Sequence, residues 1–254
     1  MTTLTAQLVG GPTAVLEYAG LRWLTDPSLS PPGEYEGGLM KTTAPALEPE
    51  AIDPIDVVLL SHDHHSDNLD PRGREFLPRA RHVLTTASGA RRLGGNAMGL
   101  EPWSSVELDR PAGGAVTVTA VPAQHGPDGT DHVTGPVIGF LLAGPGLDTV
   151  YVSGDNASLD VVRAIAARAG EVDVAVLFAG AVQVPHRFDG AYLTLSSDRA
   201  AEAAKILGAR AVVPVHFEGW THFTQGADAL RAAFAGNQVA DRLVLAEPGA
   251  TVTV

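Results

Sequence analysis

His62, His64 and His65 fill three of four consecutive positions in the segment Ser61-His62-Asp63-His64-His65-Ser66-Asp67-Asn68. Residues two apart on extended backbone point to the same side. His62 and His64 are therefore expected to converge on one metal ion, with nitrogen–metal bonds of about 2.0 to 2.1 Å. Asp67 then offers a carboxylate to a second ion. The plainer reading, a polar turn ahead of a helix, suits Asp70, because an N-cap is commonly followed by proline at the first helical position and Pro71 stands there. It does not account for the run of imidazoles.

Three further groups stand where strands are expected to end, the place at which α/β proteins gather ligand groups. They are His125 in Ala123-Gln124-His125-Gly126, Asp155 in Ser153-Gly154-Asp155-Asn156, and His216 in Pro214-Val215-His216-Phe217. Each alone reads equally as a loop histidine, an aspartate in a turn, or a satisfied histidine at a strand end.

The elements that must position these groups begin with alternating apolar and polar residues over the first 25 positions. Breaks at Gly10-Gly11-Pro12 and Ala19-Gly20 predict an antiparallel meander. A proline-rich stretch from Thr25 to Pro54 reads as a long surface loop, a feature more often functional than not. The apolar run from Ile55 to Leu60 predicts a strand covered on both faces, which delivers the histidine segment. A helix is expected over 71–78, with strands over 115–121, 137–142, 149–152, 173–178, 211–215 and 242–254. Further helices are expected over 158–169, 197–207 and 227–234. Strands first, then strands alternating with helices, predict an α/β fold of mixed sheets with helices outside, as a single domain over 1–254.

In chain order the groups read H-x-H, D, H, D, H. With Thr25-Asp26-Pro27, Ser-His-Asp-His, Ala-Gln-His-Gly, Ser-Gly-Asp and Val-His-Phe, the chain from Leu4 to His222 resembles the metallo-β-lactamase fold superfamily. Within it, the chain is similar to the branch of the L-ascorbate-6-phosphate lactonases. The resemblance implies an αββα sandwich with metals at one edge between two sheets. It also implies a first site of His62, His64 and His125, and a second of Asp67, His216 and the bridging Asp155. The family pattern H-x-H-x-D-H is broken here: His65 and Ser66 both intervene before Asp67, and Asn68 replaces the last histidine. Asn68 coordination through its oxygen, or a weak second site, is expected ahead of His65 swinging in, because neighbours on extended backbone point oppositely.

Asp26 is expected either to accept a hydrogen bond behind the site or to end its strand in an Asp-Pro turn. His222 and His186 are pocket candidates whose alternatives are a packed loop and an exposed loop. His82 and His132 read as surface residues, and the arginines between Arg72 and Arg92 as a solvated face.

The chain has nine histidines and no cysteine, so thiolate sites, disulfides and cysteine nucleophiles are excluded. A net charge of −12 opposes a phosphate-backbone partner. No signal-like N-terminus or spanning apolar run is present, so a cytoplasmic protein without a membrane partner is expected. The expected function is hydrolysis of a small-molecule ester, lactone, amide or phosphodiester by metal-activated hydroxide, with Asp67 orienting the nucleophile or taking its proton. One or two divalent ions are implied, zinc first, with manganese or iron as alternatives. A nuclease or phosphodiesterase, and a metal-binding protein with little turnover, are the competing readings.

Overall fold

The computed structural model describes residues 4–184 and 187–254. The expected meander forms as β1 (Thr5–Gly10), β2 (Thr13–Tyr18) and β3 (Leu21–Thr25). The proline-rich stretch is more ordered than a plain loop: it holds a hairpin, β4 (Gly33–Tyr35) and β5 (Leu39–Lys41), and a turn of helix, α1 (Pro49–Ile52). Then come β6 (Val57–Leu59), α2 (Pro71–Phe76), β7 (His82–Thr86), α3 (Ala87–Leu93), β8 (Ala97–Leu100), β9 (Ser105–Asp109) and β10 (Ala115–Pro122). The chain continues through α4 (Asp131–Thr134), β11 (Ile138–Ala143), β12 (Val150–Val152), α5 (Leu159–Ala169), β13 (Val174–Phe178) and α6 (Ser197–Leu207). It finishes with β14 (Ala211–Val215), α7 (Ala227–Gly236) and β15 (Thr251–Thr253).

One sheet has the order β15-β1-β2-β3-β6-β7-β8 and the other β14-β13-β12-β11-β10-β9. Alternation along the first sheet divides its residues by face. Trp23, Val57, Leu59 and Leu84 join a core shared with Val116, Val118 and Phe140 of the second sheet. Leu24, Val58, Leu60 and Val83 point the other way, onto Ile52, Phe76 and Leu77 around α1 and α2. The far side of the second sheet is covered by Val162 and Ile165 of α5, Ala200 and Ala204 of α6, and Leu230 and Phe234 of α7. The layers are helix, sheet, sheet, helix, as the resemblance implies.

Capping follows the sequence closely. The Asp70 carboxylate accepts from Gly73 N at 2.8 Å ahead of α2, and Ser158 caps α5. Each such cap stabilises its helix by about 1 kcal/mol. Two expectations need correction. Strands β7, β8 and β9 fall outside the expected set: β7 and β8 are short and lack alternation, whereas β9 does alternate (Ser-Val-Glu-Leu-Asp) over only five residues. The strand expected over 242–254 is confined to β15, because a 3-10 turn at Ala240–Arg242 and a bend around Gly249 interrupt the run.

Candidate metal centre

The site forms where β3, β6, β10, β12 and β14 end. Asp26 follows β3, Ser61 and His62 follow β6, His125 follows β10, Asp155 follows β12 and His216 follows β14. Two contacts tie the sheets together there: Ile138 N donates to Ser61 O at 3.2 Å, and His216 N donates to Gly11 O at 2.6 Å. His216 is held at φ 58°, a strained value for a residue with a side chain. A Cβ on Gly180 would come within 2.1 Å of the His216 carbonyl oxygen, so only glycine lets the two backbones approach this closely.

A first group of ligand atoms comes from His62, His65, His125 and Asp155. His65 Nδ1 lies 2.9 Å from His62 Nε2 and 3.2 Å from His125 Nε2. Asp155 Oδ2 lies 3.5 Å from His125 Nε2 and 4.0 Å from His62 Nε2. Tetrahedral bonds of about 2.05 Å place donor atoms about 3.3 Å apart, close to these separations. The network assigns the tautomers. His125 Nδ1 donates to the Leu193 carbonyl at 2.8 Å, which frees Nε2. Ser61 Oγ donates to Asp26 Oδ2 and accepts from His62 Nδ1 at 2.9 Å, which frees Nε2 there too. Burial pushes all three imidazoles down, His65 to about 3, so they are neutral with lone pairs available.

A second group joins Asp67, Asp155 and His216. His216 Nε2 lies 3.4 Å from Asp67 Oδ2 and 3.5 Å from Asp155 Oδ1. Asp155 thus turns one oxygen to each group. Burial alone would raise the Asp67 carboxyl, but the His216 and His222 rings outweigh it and hold it well below the usual range. Asp155 is pushed up to about 7, chiefly by burial. Among the described residues, Asp155 Oδ2, Asn68 Oδ1 and both ring nitrogens of His216 are buried without hydrogen-bond partners. Buried polar atoms normally find partners, and acceptors left bare around two clusters fit divalent cations.

The structure arranges the histidine segment differently from the expected first site. His64 stands outside both groups, with Nε2 donating to the Thr134 carbonyl at 2.6 Å. His65 takes the place expected for it. The cause is local: β6 ends at Leu59, and Asn68 N and Leu69 N both fold back onto His65 O at 3.2 and 2.9 Å. Alternation on extended backbone does not apply within such a turn. The extra residue relative to the family pattern therefore falls before the second histidine, and His65-Ser66-Asp67 keeps the H-x-D spacing.

Asn68 Nδ2 donates to Asp26 Oδ2 at 2.9 Å and Asp155 Oδ1 at 3.3 Å, so its amide clamps carboxylates. Asp26, 1% exposed, also accepts from Ser61 N at 2.6 Å, which places it behind the site and not merely in a turn. His222 Nε2 lies 2.9 Å from Asp67 Oδ2. His186 lies outside the described residues. The roles of Ser61 and the Leu193 carbonyl were not foreseen. Ser61 adjoins the histidine run, but a backbone carbonyl carries no sequence signal.

A cleft of about 230 Å³ opens on both groups. His64, His65, Asp67, His125 and His222 line its floor, with Leu39, Val133, Val182, Val184, Phe188 and Leu193 forming apolar walls and Glu36 and Arg187 at hand. No helix among the described residues is long and apolar enough to cross a membrane.

A family profile described as Beta-lactamase superfamily domain matches residues 22–217. The UPF0173 metal-dependent hydrolase of Methanosphaerula palustris is 32% identical over 186 residues, covering 70% of this chain and 75% of the relative. Isothiocyanate hydrolase from Delia radicum gut bacteria superposes with a TM-score of 0.81 at 21% identity, over 98% of both chains. A possible metal-dependent hydrolase from Veillonella parvula superposes with a TM-score of 0.84 at 16% identity, over 100% of both. At these identities the two structures speak to the fold alone.

Proposed function

Because this chain belongs to the Beta-lactamase superfamily domain family, we propose that it is a metal-dependent hydrolase of a small, largely apolar molecule bearing an ester, lactone, amide, phosphodiester or comparable electrophilic centre. The observation that carries this reading is the shared Asp155, whose two oxygens each lie 3.5 Å from a histidine of a different ligand group beside the cleft. His62, His65, His125 and Asp155 would hold the first ion, and Asp67, Asp155 and His216 the second. Zinc suits the nitrogen-rich first group, while manganese or iron suits the second, richer in carboxylate. Bound there, a divalent ion would supply a water of pKa about 7 and a Lewis acid for the scissile oxygen.

The chain's own residues do the rest. Asp67, held ionised at the cleft wall by His216 and His222, would orient the attacking water. The Asp26–Ser61–His62 chain and the Leu193 carbonyl fix the rings of His62 and His125. The apolar walls hold the body of the substrate and exclude water. A cleft of about 230 Å³ suits a small molecule over a polymer. The net charge of −12 likewise disfavours nucleic acid. A cytoplasmic setting fits a chain without cysteine.

The test is turnover of a panel of chromogenic esters, lactones, anilides and bis-phosphodiesters. Isothiocyanates join the panel because a hydrolase of that class shares the fold. Metal-loaded wild type should turn over at least one class, and chelator-treated wild type and His125→Ala should lose nearly all of that rate. No metal-dependent turnover on any member of the panel would favour a metal-binding protein with little turnover.

A further inference from the structure

The second ligand group has two carboxylates and one imidazole, and Asn68 stands where the family pattern has a histidine, its Nδ2 donating to Asp26 and Asp155 while only the weaker donor Oδ1 is left over. Another imidazole reaches the same place from the loop after β14. His222 is 8% exposed, and its Nε2 lies 2.9 Å from Asp67 Oδ2, the oxygen that lies 3.4 Å from His216 Nε2. Its ring is fixed by edge contacts with Trp220 at 5.8 Å and Phe223 at 4.7 Å, and Phe223 also packs on His216 at 4.1 Å. Gln183 N anchors the His222 carbonyl at 3.1 Å. A buried carboxylate needs donors to stay ionised and in one orientation.

We propose that His222 is a positioning residue for the second metal position: by donating from Nε2 to Asp67 Oδ2, it holds that carboxylate against His216. It compensates from outside the ligand set for the histidine absent at position 68. This inference rests on the metal-hydrolase reading above.

Cobalt(II) alone is the probe, titrated calorimetrically into the full chain and followed by visible absorption. Wild type, His222→Gln, which keeps an N–H donor, and His222→Ala and His222→Phe, which do not, are compared. Wild type should bind two ions. Alanine and phenylalanine should leave the first ion unchanged, which also reports that the fold is intact, and weaken the second about 10- to 100-fold. Glutamine should recover most of that loss without changing the cobalt spectrum. Wild-type affinity for the second ion in both donor-free variants would overturn the inference. So would a glutamine variant as weak as alanine with an altered spectrum, since His222 would then be a ligand. A wild-type chain that binds one ion would overturn this inference alone. A chain that binds none would contradict the hydrolase reading itself.

Discussion

Asp155 couples the two ligand groups, and its burial sets the conditions for loading. With its carboxyl raised to about 7, it carries a proton below that pH, whereas His62, His65 and His125 are already neutral. An ion entering the first group must displace that proton. Zinc affinity should therefore rise with pH up to about 7 and then level off. Calorimetry in buffers of different ionisation enthalpy should show about one proton released at pH 6 and little at pH 8. The two adjacent histidines should separate cleanly. His65→Ala should weaken the first zinc by more than the roughly 10- to 100-fold typical of an outer partner, while His64→Ala should leave it nearly unchanged. Equal losses in both variants would refute the assignment. Ser61→Ala, which cuts the Asp26–His62 relay, should fall within that 10- to 100-fold range.

Elements carry these residues to their places, and two contacts bear most of that task. Gly180 passes so close to His216 that Gly180→Ala must push the end of β14 aside. A loss of about 1–3 kcal/mol in urea unfolding, together with weaker binding of the second ion, is expected. The hairpin β4–β5, which brings Glu36 and Leu39 to the cleft, is held by Lys41, 5% exposed, whose Nζ contacts Ser28 O at 2.9 Å and Asp70 Oδ2 at 3.3 Å. Removing one partner leaves a buried charge unpaired, so Lys41→Met should cost about 3–5 kcal/mol in urea unfolding. At this scale the sequence was informative where strands are apolar and end in polar residues: Ile55–Leu60 into Ser61, Val121 into His125, Val152 into Asp155, Val215 into His216. It was uninformative where backbone departs from regular geometry. The choice between His64 and His65 turns on a bend after Leu60 that no periodicity encodes. The partnership of His222 with Asp67 spans 155 positions and leaves no local trace.

In the molecule as a whole, two sheets share one core and meet at an edge where five strand ends deliver acceptors that face one another. That edge is unfavourable without cations, because bare acceptors such as Asp155 Oδ2 are buried there. Chelation should accordingly lower the melting temperature. A free zinc level about 1,000 times its Kd should restore about 4 kcal/mol of stability. Mixed sheets with helices outside were legible from the order of strands and helices, and the four layers from the family resemblance, whereas the cleft was not, because its walls come from segments as distant as Leu39, Val133 and Phe188. The most direct test of the account is anomalous diffraction at the zinc absorption edge from crystals of the zinc-loaded protein. The account predicts an anomalous peak enclosed by His62 Nε2, His65 Nδ1, His125 Nε2 and Asp155 Oδ2, with His64 still on the Thr134 carbonyl. A peak ligated by His64, or no peak beside Asp155, would contradict it.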